Sequence, residues 1–544
     1  MKRISALCVV SGARALTTVH KSKLPSIEPT LSASTSLSKF YCERSEALSK
    51  SIAFVDGISG KEVSFQDAFD RTEKIAAALY RKYNIRHGDI VTFVSPNTVD
   101  YVSVFQGVLM LGAVISPLSP AYSADDIAKH VKLARSKLLI SYTMFKDVTL
   151  QASASSDVPL FLADVPFELD VPLKDSEKAS TGKDDLVVLP FSSGTTGLPK
   201  GVELTNKNML ANLFQFNSIL EQRPEDVIMA VLPYFHIYGM LVVMMGPLSV
   251  GAKQVVVPRF NLQQYIDLMG QHKATTLYVA PPMLLEIKNR LEEFPSIKSM
   301  DHVRLIMSGA APLTESLQRS IEGIFPQATV LQGYGLTETS PVLTVCRPDD
   351  KLFGSAGALC PDTEIRIVDV TQDGNPKDAT DPPNGTPGEI WVRGPQVMRG
   401  YANVDNTGVF VDDWFRTGDI GFVNDNNLYI TDRLKELIKC KGFQVAPAEL
   451  ESLIMTLPFV KDVVVFGVPT PDKHDECPVA SVVLTDATPE QLESRKLEIL
   501  DLIAKQTPSY KHLTGGVHLV KEIPKSLSGK VLRRVAKQQY EAEL

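Results

Sequence analysis

No two of the six cysteines (Cys8, Cys42, Cys346, Cys360, Cys440 and Cys477) form a C-x-x-C pair, which argues against a zinc frame or disulfide scaffold and for reduced thiols in an intracellular compartment. Apolar runs of membrane-spanning length are also missing. The longest, 102–119 and 240–250, are broken by Gly, Pro, Ser or Gln and read as buried elements. Basic residues are not in excess: the net charge of −7 argues against a general nucleic-acid binder. No internal repeat is present, and no Gly-x-x-x-x-Gly-Lys-[Ser/Thr] loop matches a Walker A nucleotide site. Acids are absent before Glu28, whereas Lys2, Arg3, Arg14, Lys21 and Lys23 precede it among Ser, Thr and Ala. Residues 1–35 are therefore set apart as an N-terminal extension with the composition of an organelle transit peptide. A secretory signal built on the short apolar run 4–10, or a plain disordered tail, are the alternatives. The last residues, Ala542-Glu-Leu544, match the peroxisomal tripeptide poorly.

What is present is a long chain with an ordinary globular balance. At 544 residues, 44% hydrophobic and 22% charged, it implies a soluble protein of two or more domains. Strand-like runs at 89–94, 137–142, 186–191, 227–232, 254–257, 275–280, 303–308 and 329–332 alternate with helical patterns at 262–272, 283–293 and 315–324. A further helix starts after Ser64 as N-cap, with Phe65, Phe69, Ala76 and Leu79 on one face. Such alternation predicts parallel α/β sheets. Between 357 and 421 the texture turns to short β pieces among Pro, Gly and Asp, as in a small β-rich subdomain. The chain beyond Asp432 has its own core pattern and the size of a small α+β domain.

Three polar loops follow predicted strands. The first holds Ser192, Ser193, Gly194, Thr195, Thr196, Gly197 and Lys200, whose backbone N–H groups, hydroxyls and ammonium suit a polyphosphate. The second is Ser308, Gly309, Ala310, Ala311 and Pro312; the third runs from Gly333, Tyr334 and Gly335 through Thr337 and Glu338 to Thr339. Ligands of open α/β sheets bind at the carboxyl ends of strands, so the three loops are expected to converge on one nucleotide. Singly, the candidates have plainer readings: a Gly/Ser/Thr surface loop at 192–201, a solvated acid at Glu338, and, in the further strings 414–419 and 235–238, a turn aspartate at Asp419 and a core histidine at His236.

With these strings in their order, the chain resembles the adenylate-forming superfamily of acyl-CoA synthetases, coumarate–CoA ligases and luciferases, from about residue 36 to about 539. The resemblance implies an α/β fold. Residues 36–432 would form a large domain of two α/β subdomains and a β-barrel-like one, and 433–544 a small mobile α+β domain hinged near Asp432–Lys435. It also implies roles. The 192–201 loop would contact the β- and γ-phosphates of ATP, Tyr334 would stack on adenine, Thr337 would meet the α-phosphate and Glu338 would hold Mg2+. Asp419, with Arg433 nearby, would take the ribose hydroxyls, and 308–312 would line the adenine and acyl sites. Phe235 and His236 would form an aromatic gate, and Tyr238, Met240, Met307 and Val342 would face the acyl pocket. Lys530 would serve the first half-reaction; Lys439 and Gln444 would face the site after the small domain rotates.

The implied reaction is activation of a fatty or aryl acid as an acyl-adenylate, then transfer to the thiol of coenzyme A with release of AMP. Lys530, Mg2+ and the phosphate loop would offset the charge of two approaching anions. Two departures stand out: Asn206 where the family often has His after Thr, and Met307 where many coumarate ligases have Lys. The second weakens a hydroxycinnamate reading and leaves aliphatic acids open. A luciferase-like oxygenase, a carrier-loading adenylating enzyme and a non-catalytic nucleotide-binding relative are the alternatives. Small molecules are the expected partners, with no nucleic acid and no transmembrane segment. A mitochondrial location is expected from the N-terminus, and otherwise a cytoplasmic or peroxisomal one.

Overall fold

The computed structural model describes residues 18–165, 173–192, 199–349, 352–369, 380–382, 386–440, 443–470, 475–485, 488–525 and 531–543. One sheet runs in the order Gly400–Tyr401, Lys200–Thr205, Leu186–Val188, Val114–Leu118, Ile90–Val94, Leu138–Ser141 and Leu160–Leu162. From Leu186–Val188 onward its strands are parallel. Val91, Phe93, Ile115, Leu139 and Ile140 are buried without alternation, as expected where helices cover both faces. Helix Phe65–Arg81, which packs on helix Tyr101–Met110, is opened by a capping box in which Ser64 Oγ accepts from Asp67 N–H and the Asp67 carboxylate accepts from Ser64 N–H.

The second sheet has a parallel part, Thr329–Gly335, Leu305–Ser308, Thr276–Val279, Val227–Ala230, Lys253–Val256 and Ile52–Asp56. It does not stop at Thr329–Gly335. Val342–Val345 pairs antiparallel with that strand, and Gly357–Leu359, Asn427–Arg433, Trp414–Asn424, Gly388–Arg393 and Glu364–Val368 follow in turn. The β-rich region is thus continuous with an α/β sheet rather than a separate layer. Asn206, the departure from the family's His, is buried; it accepts from Leu37 N–H (2.9 Å) and donates to the Gly182 carbonyl (2.9 Å).

Residues 18–35, set apart with the extension on composition, are instead bonded into the large domain. His20–Lys21 adds an edge strand to Glu364–Val368, and Thr18 N–H and Oγ1 both donate to Asp381. Ile27 N–H donates to Asp362 Oδ2 (2.9 Å), and the Leu31 side chain is 1% exposed in the main core. Only residues 1–17 lie outside the described part of this segment. Leu31→Ala should cost about 2–5 kcal/mol. It should speed amide exchange and proteolysis within 18–35, whereas removing residues 1–17 should change neither.

Past Arg433 the chain enters a second core. Strands Val460–Pro469, Glu476–Leu484 and Val517–Leu519 pack with helices Pro447–Ile454 and Leu492–Gln506 around Leu450, Val465, Val482, Ile499 and Ile503. Asp432, at the join, accepts from Arg433 N–H (2.7 Å) and, through its other oxygen, from Ala448 N–H in the first turn of a small-domain helix (3.1 Å). Burial, against these two bonds, pushes its carboxyl up to about 6. Because the folded value exceeds the ordinary ~3.9 of an unfolded Asp, this group's contribution is fully present below pH ~4. It is lost as pH rises through about 6. At most about 3 kcal/mol is at stake. Asp432→Asn should remove this component, so melting curves of the two proteins at pH 4.5 and 7 should show a smaller difference for the variant.

Candidate active site

The root of the first polar loop is a two-residue hairpin pairing: Phe191 opposite Gly201 and Ser192 opposite Lys200. Ser193, Gly194, Thr195, Thr196 and Gly197 lie outside the described residues. Ser192 Oγ donates to Glu338 Oε1 (2.9 Å), and Tyr401 OH donates to the same oxygen (2.9 Å). The Lys200 ammonium stands 5.0 Å above the Tyr401 ring. Glu338 is 7% exposed, so the solvated-acid reading does not apply. Burial and the Glu338 carboxylate push the Tyr401 phenol far above its ordinary value, which keeps it a donor.

Glu338 sits in the tight turn Thr337–Thr339, which directly follows strand Thr329–Gly335. The turn is drawn back on itself: Leu336 N–H donates to the Pro341 carbonyl (3.0 Å), and a side chain on Gly335 would collide with that carbonyl oxygen. Only glycine permits that approach. Thr337 is half-buried at the start of the turn.

On the other side of Gly335, Tyr334 OH donates to Asp419 Oδ2 (2.6 Å), while Arg433 Nε pairs with Oδ1 (3.1 Å). Asp419 and Arg433 are directly opposed on the two arms of one antiparallel hairpin, whereas Tyr334 comes to them from 85 residues away in the chain. Asp419 is 4% exposed and is therefore no ordinary turn aspartate. Burial first, then the Asp419 charge, pushes the Tyr334 phenol well above the usual range.

Ser308 ends strand Leu305–Ser308, and its buried hydroxyl has no hydrogen-bond partner among the described residues. Ala310 takes a left-handed backbone (φ 69°) in the loop that follows, a costly conformation for a residue with a Cβ. Ala311 comes next. Tyr238 OH donates to the Met307 carbonyl (3.1 Å), and its ring lies so near Gly309 that a side chain there would begin 3.0 Å from the ring. The Met307 methyl stands 2.5 Å from where a side chain on Gly333 would start, so Met307 and Gly333 form an adjoining wall. Tyr238 opens an eight-residue π-helix, Tyr238–Met245, a rare element associated with functional sites. His236 is half-buried, and its Nδ1 accepts from Tyr238 N–H (3.3 Å). Val342 is held by Asn212, which accepts from its N–H (2.9 Å) and donates to its carbonyl (2.7 Å).

These contacts form one line: Tyr238, Gly309 and Met307, then Gly333 to Gly335, with Asp419 and Arg433 on one side and Glu338, Ser192 and Lys200 on the other. The small-domain residues stand apart. Lys439 and Gln444 oppose each other across a two-stranded hairpin, both exposed. Among the described residues no hydrogen bond or ion pair joins the Lys439 side chain to that line; its backbone N–H donates to Glu476 (2.9 Å). Lys530 lies outside the described residues. Three participants were not expected from the sequence. Tyr401 is on a strand beside Lys200–Thr205, Asn212 is on helix Asn206–Ile219, and Lys435 is held below its ordinary value by burial and by the charges of Lys200 and Arg416. Tyr401 and Asn212 lie in no motif-like string and reach the site through pairing and packing; Lys435, at the expected hinge, is tied to it only by charge.

Residues 43–402 match the family described as AMP-binding enzyme, and residues 449–530 match its C-terminal domain. A 4-coumarate–CoA ligase of Pinus taeda is 34% identical, over 97% of this chain and 98% of its own length. A second from Petroselinum crispum is 35% identical over 91% and 92%. Among solved structures, ATP-bound MatB from Rhodopseudomonas palustris superposes with a TM-score of 0.81 at 26% identity, covering 93% of this chain and 99% of that one. An o-succinylbenzoate–CoA synthetase of Bacillus subtilis with its acyl-adenylate gives 0.77 at 25% identity, with 92% and 97% covered. Full-length similarity together with two buried carboxylates, Glu338 just past strand Thr329–Gly335 and Asp419 bonded to Tyr334 on that strand, leads to one conclusion: this chain belongs to the AMP-binding, adenylate-forming enzyme family.

Proposed function

We propose that the chain is an AMP-forming acid–CoA ligase whose acid carries a flat, apolar acyl group, with aryl acids of the cinnamate type foremost. The reaction class rests on the pairing of Glu338 with Ser192 and Tyr401 beside the Asp419–Arg433 pair, which presents one site for phosphates and one for a ribose. The acyl preference rests on the close-packed apolar wall of the Tyr238 ring, Gly309, Gly333 and Met307, four residues that offer no cation to a second acidic group. Relatives that are themselves 4-coumarate–CoA ligases support it; a fatty-acid substrate has no comparable support.

The residues divide the work. Asp419 accepts the ribose hydroxyls, with Tyr334 and Arg433 holding its carboxylate in place. Ser192, Lys200 and the loop they flank take the terminal phosphates, and Thr337 the α-phosphate. Ser308 supplies to the ligand, in the adenine and acyl region, a hydroxyl that has no partner among the described residues. The donor set suits a hard cation: a carboxylate flanked by hydroxyls, with no nitrogen or sulfur ligand. Bound at Glu338, Mg2+ would neutralise the phosphate charge that otherwise repels the attacking carboxylate. Lys530 would add charge at the first step; Lys439 and Gln444 would approach for the second.

Pyrophosphate release from MgATP across a panel of cinnamates, benzoates and fatty acids, with and without coenzyme A, tests this reading. Release with a cinnamate, and a thioester once coenzyme A is added, is the expected result; release with fatty acids alone would overturn the acyl assignment. Delivery to mitochondria by the basic, acid-free residues 1–17 belongs to the same reading, tested by whether a fluorescent fusion loses its targeting when they are removed.

A further inference from the structure

His130 lies on helix Ala124–Ala134, away from every motif, and is 6% exposed. Its Nε2 is 2.8 Å from Ser116 Oγ, and Ser116 Oγ lies 2.8 Å from the Leu189 carbonyl. A hydroxyl has one proton, and the carbonyl can only accept, so the Ser116 proton goes to Leu189. Ser116 must then accept from His130, which fixes the ring with its proton on Nε2. Burial pushes this imidazole down to about 4, so it carries a single N–H at neutral pH. The same ring packs on Phe191, centroids 4.3 Å apart.

Leu189 lies two residues before Phe191, which opens the strand pairing at the root of the 192–201 loop. Leu189 N–H donates to the Ile115 carbonyl (2.8 Å), so the segment is gripped on both sides of its backbone. Phe191 faces Gly201, where an added side chain would begin 3.2 Å from its ring, and the next residue, Ser192, reaches Glu338. A shift of Phe191 is therefore passed on to Ser192 and Lys200. Plain packing would be served by an apolar side chain without the cost of burying an imidazole; what the imidazole adds is a directed bond.

We propose that His130 is a positioning residue for nucleotide binding, setting the phosphate-loop hairpin through the Ser116–Leu189 relay and the face of Phe191. This role rests on the 192–201 loop contacting ATP phosphates. Direct MgATP titration of the full-length protein, followed by calorimetry, tests it without requiring turnover, and steady-state KM values for MgATP, acid and coenzyme A accompany it. His130→Phe keeps a ring against Phe191 and removes the bond; Ser116→Ala breaks the relay from the other side. Each should weaken MgATP binding about five- to tenfold, with the KM values for acid and coenzyme A within about twofold of wild type. His130→Gln, which returns an N–H donor, should recover most of the loss. Unchanged MgATP affinity in both folded variants would overturn the proposal, as would equal rises in all three KM values. Wild-type protein that binds MgATP yet releases no pyrophosphate with any acid would count against the ligase reading and leave this comparison intact.

Discussion

Glu338→Gln is expected to lower acid-dependent pyrophosphate release by about 10²- to 10³-fold, the scale seen when one charge-stabilising group is removed from an active site. The amide oxygen of Gln can still accept from Ser192 and Tyr401, because both bonds fall on one carboxylate oxygen, so the turn should keep its shape. What disappears is the negative charge. If that charge holds Mg2+, the Mg2+ concentration needed for half-maximal rate should rise, and excess Mg2+ should recover part of the activity. Tyr401→Phe, which removes one neutral hydrogen bond, should cost only about 1 kcal/mol, or roughly fivefold. A Glu338→Gln enzyme with wild-type rate and Mg2+ dependence would show that the buried carboxylate is structural.

Lys439→Ala should separate the two half-reactions. Its side chain is exposed on a small-domain hairpin and unconnected to the nucleotide line among the described residues, so acyl-adenylate formation should stay within about threefold of wild type. Thioester formation from preformed adenylate should fall by about 10²-fold, as for loss of a charge that acts only in that step. Lys530→Ala should show the opposite pattern. Single-turnover assays of each step distinguish them. The expectation rests on a proposed turn at the join, where the backbone leaves the large domain through one strand ending at Arg433, held by Leu434 N–H on the Gly418 carbonyl (2.8 Å) and by Ala448 N–H on Asp432. These are few and local bonds, and one chain crossing can reorient without unfolding either core. Equal loss of both steps in Lys439→Ala would remove the case for a second posture.

Several elements are legible in the sequence because their signals are local. Helices Leu262–His272 and Glu315–Ile324 span the same residues as their apolar periodicity, and Ser64 caps its helix as its position ahead of Phe65 implies. The strands at Val227–Ala230, Thr276–Val279 and Leu305–Ser308 lie inside the predicted runs. The residues around Tyr334 and Glu338 are legible because their small and polar types crowd into a few positions. Elsewhere composition misleads. Residues 18–35 are Ser- and Pro-containing like a leader, yet their backbone donors are met by Asp362 and Asp381. That pairing spans more than three hundred residues, and no local pattern announces it.

The sequence by itself determined which side chains are available for chemistry, and which short runs become helix or strand, since capping, periodicity and glycine content act over a few residues. Tertiary structure alone decided which of them meet. Tyr334 meets Asp419 across 85 residues of chain because strands of one long sheet bring them together; Tyr401 reaches Glu338 because its strand lies against Lys200–Thr205; His130 packs on Phe191, at the root of the 192–201 loop, because its helix lies on the sheet. Each contact depends on sheet register and packing, which are set by burial across the whole domain and not by any single segment.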